Sequence, residues 1–402
     1  MASKGLNGAA AVFDFVEQKY AFRDANNVPR WGSVEADTTF SRASAAGRWP
    51  EAGPYEMVGS GVLRYDHNPV TREPLGVRME VAGNNLLTYS EFQNGVTDAP
   101  SRSGLVSATA LSGFAGAILI QRGADSSWAY KIVPVTAGTS YAFTSFVQFG
   151  DGTTPPVFSA GVAGTDAIIN VASSWVMPSH IDHLGGGLYR VVGTHTPTTT
   201  GSGLFGVAKL ATQSATPVVV TGYQVEAGAV ASSYIVTGAS AVTRAAERLY
   251  APMPFDPADE GLTILWDGVL PVSAESTPIA YSIKSSDPVI LNRIQTYCSG
   301  GLVYARGFNQ NGSAWAPPLT RPFVARERRR IITRITPSVI ALSQNGDAVS
   351  STVLTGSIPT GMTRFEVGSV NGGNQWNSTI SRVAVWKGTP FSDAQMREIS
   401  AL

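Results

Sequence analysis

Four histidines, one cysteine and a scatter of carboxylates are the groups in this 402-residue chain with the most obvious chemistry. His180-Ile181-Asp182-His183 sets two imidazoles and a carboxylate within four positions. Zinc needs three or four ligands in a closed arrangement; no further ligand follows, and Gly185 to Gly187 read as a turn, so a solvated loop is expected there and no metal. His195 alternates with Thr194 and Thr196 beyond Tyr189-Arg190-Val191-Val192, the pattern of a histidine on a strand face. The single cysteine, Cys298, rules out an internal disulfide and a thiolate zinc site, and is expected as a small buried strand residue. No G-x-S-x-G elbow, Walker loop, H-E-x-x-H or EF-hand loop occurs. The reading is therefore of no catalytic residue and no cofactor. A glycosidase remains as an alternative, because its two carboxylates carry no fixed spacing, although acids are few and no long strand-repeat array is visible.

Two loops have the composition of a sugar site, which pairs an aromatic ring that stacks on a pyranose with amides that bond its hydroxyls. One holds Asn309, Gln310 and Trp315; the other holds Asn374 and Trp376. Either tryptophan can instead cap a sandwich core: for Trp315 the two readings are balanced, whereas Trp376 leans to the core because it directly precedes the strand SRVAVW. Trp128, Trp175, Trp266 and Trp386 alternate with apolar neighbours or flank strands and are expected in cores. The basic run Arg326-Glu327-Arg328-Arg329-Arg330 leads into Ile331-Ile332-Thr333-Arg334 and reads as an edge strand guarded by charge.

The elements that must position these groups are strands. Hydrophobic residues make up 43% and charged residues 14%, enough apolar material for cores, and the 42 Gly and 24 Pro are spread throughout. Period-two patterning predominates. In Thr139 to Phe149, Tyr141, Phe143, Val147 and Phe149 share a face, so one face of that strand is expected to need a core. Asn345-Gly346 is the strongest hairpin signal, and Ser392 with Gln395 has capping-box spacing ahead of Met396 and Ile399. The expectation is an all-β chain of tandem β-sandwich (jelly-roll) modules with a short C-terminal helix, in three units at about 1–84, 85–246 and 247–402. With 29 basic and 29 acidic residues, no net field favours nucleic acid. No apolar stretch reaches the roughly 20 residues of a membrane helix, and the opening residues lack the pattern of a secretory signal.

Two segments carry a resemblance. TFSRAS at 39–44, then Arg64, Asp66, Pro69, Thr71, Leu75, Gly76, Glu80, Asn85, Leu86, Leu87 and Ser90-Glu91-Phe92, resemble a segment of tailed-bacteriophage virion structural proteins of the tail fibre, spike or appendage type. Gln224, Glu226, Gly228, Ser233-Tyr234-Ile235 and Val242-Thr243-Arg244-Ala245-Ala246 resemble the close of the carbohydrate-binding-module-like jelly rolls in such proteins. Residues 247–402 are similar, more generically, to concanavalin-like or laminin-G-like sandwiches. The resemblance implies a virion component, assembled in the host cytoplasm, whose first unit joins other virion proteins and whose sandwiches contact a bacterial surface glycan. A decoration or connector protein making only protein contacts is the alternative, and a polysaccharide-degrading tailspike the second. It also implies a homo-oligomer, such as a trimer, with the Val12-Phe13-Phe15 patch buried between chains.

Overall fold

Strand after strand pairs antiparallel, as the period-two pattern requires, and the sheets stack into two sandwiches. The computed structural model describes residues 8–23, 28–149, 157–158, 165–273, 277–285, 292–309, 311–388 and 391–401. The all-β expectation holds, and the terminal helix is present at Asp393–Ser400. Both capping-box bonds of Ser392 and Gln395 form, and Met396 seats the helix on Trp386 and Ile332. Asn345 and Gly346 have φ of 49° and 82°, the positive pair a type I′ turn demands.

The opening region does not stand as a unit of its own. One large sheet runs from Pro29–Ser33 through Lys19–Arg23 and Ala11–Asp14 to Ser378–Lys387, then Leu262–Val269, Arg328–Ile335, Val339–Gln344 and Ser350–Val353. Pro74–Met79 also pairs with the start of Ser378–Lys387. The facing sheet is built mainly from 248–367, with Thr39–Ser41 added at its edge against Arg248–Pro252. Phe13, Phe15, Tyr20, Val77 and Met79 share one core with Trp266, Phe365, Trp376 and Val383. The reason is geometric: Ala11–Asp14 satisfies its backbone by pairing residue for residue with Arg382–Val385. The apolar Val12-Phe13-Phe15 patch expected between chains is accordingly buried within this one, Phe13 and Phe15 at 1% exposure.

The strands of 101–227 form the second sandwich, inserted into the first. Its neck is a two-stranded ribbon, Gly83–Asn85 against Val242–Arg244. One sheet orders Ser101–Ser103, Ser127–Val135, Gly201–Lys209, Ile168–Val171 and Ser174–Val176; the other orders Leu105–Thr109, Ala117–Gln121, Val218–Ala227, Tyr141–Phe149, Leu188–His195 and His180–His183. Phe143, Val147, Phe205, Val207 and Tyr223 fill the space between. Tyr141–Phe149 needs cover on both faces, not one: Phe146, on the far side, is packed by Tyr234, Leu184, Trp49 and Tyr55.

Two further expectations change. His180–His183 is an edge strand, not a loop. Arg328–Ile335 is interior, paired on both sides, and not an edge. Its arginines are tolerated there because Arg328 and Arg330 both reach Asp267, at 2.9 and 3.1 Å.

Candidate functional site

Both tryptophans of the expected sugar loops belong to the terminal core. Trp376 is 0% exposed; its indole N–H donates to the Val269 carbonyl at 2.8 Å, and its ring meets Trp266 edge-on at 4.8 Å. Trp315 is 3% exposed and lies over Gly307, where a Cβ would come within 2.3 Å of the indole. The indoles fill the space between sheets, so neither offers a face to a pyranose. Asn309 Oδ1 accepts from the Asn311 and Ser313 backbone and closes its own turn. Asn374 is exposed and donates to the Thr277 carbonyl at 3.2 Å. Gln310 lies outside the described residues. Cys298 is buried, and desolvation pushes its thiol up. His195 Nε2 lies 3.0 Å from Ser174 Oγ on the expected strand.

The residues of the two resembling segments converge on a buried joint. Arg64 holds Glu247 through Nε to Oε1 at 2.7 Å and Nη2 to Oε2 at 2.5 Å, and Glu80 through Nη2 at 2.7 Å. Arg42 adds a 2.8 Å bond to Glu247, Arg244 lies 3.2 Å from Glu80, and Ser233 donates to Glu80 through both N and Oγ. Desolvation would raise the Glu80 carboxyl, but the charges of Arg244, Arg64 and Arg78 hold it well below the ordinary value. Asn85 closes the neck, donating to the Tyr223 and Ile235 carbonyls and accepting from Val225. Most of these polar groups are met by one another; Arg244 keeps Nε and Nη1 without a hydrogen bond, although Nη1 lies within ion-pair distance of Glu80, and together the side chains fasten the two sandwiches.

An accessible aromatic face exists elsewhere, on the outside of the five-stranded sheet of the insert. Register puts Ser101, Tyr130, Gly206, Asn170 and Trp175 in one cross-strand row. Tyr130 and Trp175 are three strand spacings apart, about 14 Å at the backbone. Between them Gly206 carries no side chain, and none fits: a Cβ there would lie 2.2 Å from the Ala129 carbonyl oxygen. Trp175 is 50% exposed. Trp128 stacks on Tyr130 at 6.1 Å and 19°, and Ile132, two residues on along that strand, is 46% exposed. Asn170, within this row, is only 4% exposed, yet its Oδ1 has no partner among the described residues. Burial pushes the Tyr130 hydroxyl up, opposed by donation from Trp175 and Asn170.

Trp175, expected in a core, is thus a surface ring. Its strand is three residues long; Val176 turns inward against the core, which forces the neighbouring position outward. The sequence signal was parity: Ile169 and Val171 point in, so Asn170 and its partner Trp175 point out.

No family model matches the chain, and no curated protein matches it. Parts of it are similar to solved structures. The CBM40 domain of the Ruminococcus gnavus IT-sialidase bound to α2,3-sialyllactose overlaps 37% of this chain and 91% of that one, at 15% identity and a TM-score of 0.30. Domain 4 of AbnA, a GH43 extracellular arabinanase from Geobacillus stearothermophilus, in complex with arabinotriose, overlaps 39% and 73% at 9% identity and 0.30. The Caenorhabditis elegans galectin LEC-6 overlaps 34% and 89% at 15% identity and 0.24. These overlaps span little more than a third of the chain and leave its ligand open.

Proposed function

We propose that the chain is a non-catalytic glycan-binding protein, and that the outer face of the inserted sandwich is where the sugar sits. The observation that carries this is Trp175: a half-exposed indole beside a buried amide oxygen of Asn170 that lacks a partner. A pyranose offers an apolar face to the ring, and a small shift of the Asn170 side chain would open its amide oxygen to a sugar hydroxyl. Trp128 and Ile132, two strands beyond Asn170 in the same sheet, extend the apolar surface.

The setting of this activity is read from the resembling segments. On that reading the protein is an appendage component of a phage virion, a homo-oligomer such as a trimer, attached to other virion proteins and presenting the insert to a host-surface glycan. The joint of Arg64, Glu80, Arg244 and Glu247 supports it physically, since a rigid connection suits a projecting module. The test is binding of the full chain to a glycan array and to whole bacterial cells. Saturable binding of uncharged glycans, lost in Trp175→Ala, is expected. Binding unchanged by Trp175→Ala and by Asn170→Ala moves the site elsewhere, and absence of all binding at high concentration removes the glycan reading.

A further inference from the structure

A second site is built where the two sandwiches meet, on the opposite sheet of the insert from the aromatic face. Here a cavity of about 510 Å³ opens between the outer face of the six-stranded sheet, the 47–71 segment and the 269–272 and 326 loops of the terminal sandwich. That volume suits one or two sugar rings. Its floor is a cross-strand row, Phe146, Arg190 and Asp182. One wall is the Trp49–Tyr55 pair, rings 5.2 Å apart and edge to face, both half-buried.

The charges around it do not cancel. Four arginines line the cavity, Arg48, Arg78, Arg190 and Arg326, against three carboxylates, Asp66, Glu80 and Asp182. Arg48 is taken by Glu56 at 2.7 Å, Arg78 by Asp66 at 2.6 Å and Arg326 by Asp182 at 2.8 Å. Glu80 belongs to the joint. Asp182, the cross-strand neighbour of Arg190, and Glu226 both feel the charge of that arginine, but Asp182 Oδ1 is engaged by His180 and Arg326, and Glu226 by Gln224 and Ser232. Arg190 is left without an ion pair among the described residues. Its Nη2 donates to the Ser232 carbonyl at 2.6 Å and reaches Thr144 Oγ1 at 3.4 Å, while its Nε is buried and has no acceptor. An arginine that lines a cavity with no carboxylate at ion-pair distance can grip an incoming one as a planar fork.

We infer that this cavity binds a carboxylate-bearing sugar, its carboxylate on Arg190 and its ring against Trp49 and Tyr55. The site is separate from the aromatic face of the five-stranded sheet, and either stands without the other. A neutral sugar would leave Arg190 unanswered, and a bare anion would leave the aromatic wall unused.

The test is calorimetric titration of the full chain with D-glucuronate, with D-glucose and inorganic phosphate as controls. Saturable glucuronate binding is expected, weakened about tenfold or more by Arg190→Gln, unchanged by Trp175→Ala, and at least about tenfold tighter than glucose. No glucuronate binding up to about 10 mM overturns the inference. So does binding indifferent to Arg190→Gln. Phosphate binding as tightly as glucuronate with the same dependence on Arg190 overturns the sugar assignment in favour of a plain anion site. Melting temperature checks that Arg190→Gln is folded. Should it not fold, tryptophan fluorescence of the wild type decides: a glucuronate-dependent change that vanishes in Trp49→Phe supports the site, and one that persists overturns it.

Discussion

Arg64 and Glu247, 183 positions apart, meet in a two-pronged ion pair with both side chains fully buried. The guanidinium also grips Glu80 and Ser233, so a single side chain from the opening region ties together the strand leaving the insert, the strand entering it and a loop of the insert itself. Burying these charges is costly, and the cost is offset only while every partner is present. Glu247→Ala leaves Arg42 buried without its carboxylate and leaves Arg64 with Glu80 alone, which it shares with Arg244. It is expected to destabilise the chain by about 3–5 kcal/mol, read as a lowered urea midpoint by circular dichroism. A change under about 1 kcal/mol would show the cluster to be solvated in solution.

The same cluster sets the acid limit. Glu80 is held ionised by Arg244, Arg64 and Arg78 against its own desolvation, so its folded value lies well below the ordinary 4.5 it regains on unfolding. A depressed carboxyl contributes stability that is complete above the unfolded value and is lost as pH falls through the folded one. Asp182 acts in the same sense: desolvation is outweighed by the His180 hydrogen bond and the Arg326 charge, which pull it down to about 2. Glu226 and Glu91, raised by burial, act in the opposite sense and offset part of this. The net expectation is a melting temperature that falls steeply below about pH 4.5. Glu80→Gln should melt lower at pH 7 and show a shallower acid slope; parallel slopes would remove Glu80 from the account.

The two kinds of tryptophan separate fold from function. Trp376→Ala empties a core position, breaks the bond to Val269 and removes the edge contact with Trp266, and is expected to cost about 3–5 kcal/mol. Trp175→Ala removes a half-exposed ring from a short edge strand and is expected to change stability by no more than about 0.5 kcal/mol while abolishing binding of uncharged glycans. Thermal melts beside array binding check both halves. Intact binding in Trp175→Ala, or a neutral Trp376→Ala, would reverse the assignment.

Much of this is legible in the sequence alone. Alternation in Tyr141 to Phe149, the Asn345-Gly346 turn and the Ser392–Gln395 box are local facts, and local chemistry determines them. What local patterns cannot carry is pairing between distant strands. Nothing in AVFD at 11–14 indicates that its partner is 382–385, so the opening region looked separate. The sugar loops failed for a related reason: an indole flanked by Asn and Gly has the right composition whether its ring turns outward or inward, and in Trp315 and Trp376 the space between sheets claimed it. Trp175 was within reach, because the parity of Ile169, Asn170 and Val171 already said which side faced out.

The interleaving of the chain's two ends decides which pieces of it can fold alone. If residues 247–402 were a self-sufficient unit, that piece alone would fold. Yet Ser378–Lys387 would lose its partner strand Ala11–Asp14, and the shared core would lose Phe13, Phe15, Tyr20, Val77 and Met79. Each large side chain removed from such a core costs about 2–5 kcal/mol, so their combined loss exceeds the stability of an ordinary domain. The piece 247–402 alone is therefore expected to be insoluble, or to lack a cooperative melt. Residues 81–246, whose core at Phe143, Phe205 and Tyr223 draws no residue from outside the insert, should fold alone with a cooperative transition. Circular dichroism melts of the two pieces decide it: a cooperative 247–402 would show that the opening strands are an accessory, and a molten 81–246 would show that the insert depends on the joint.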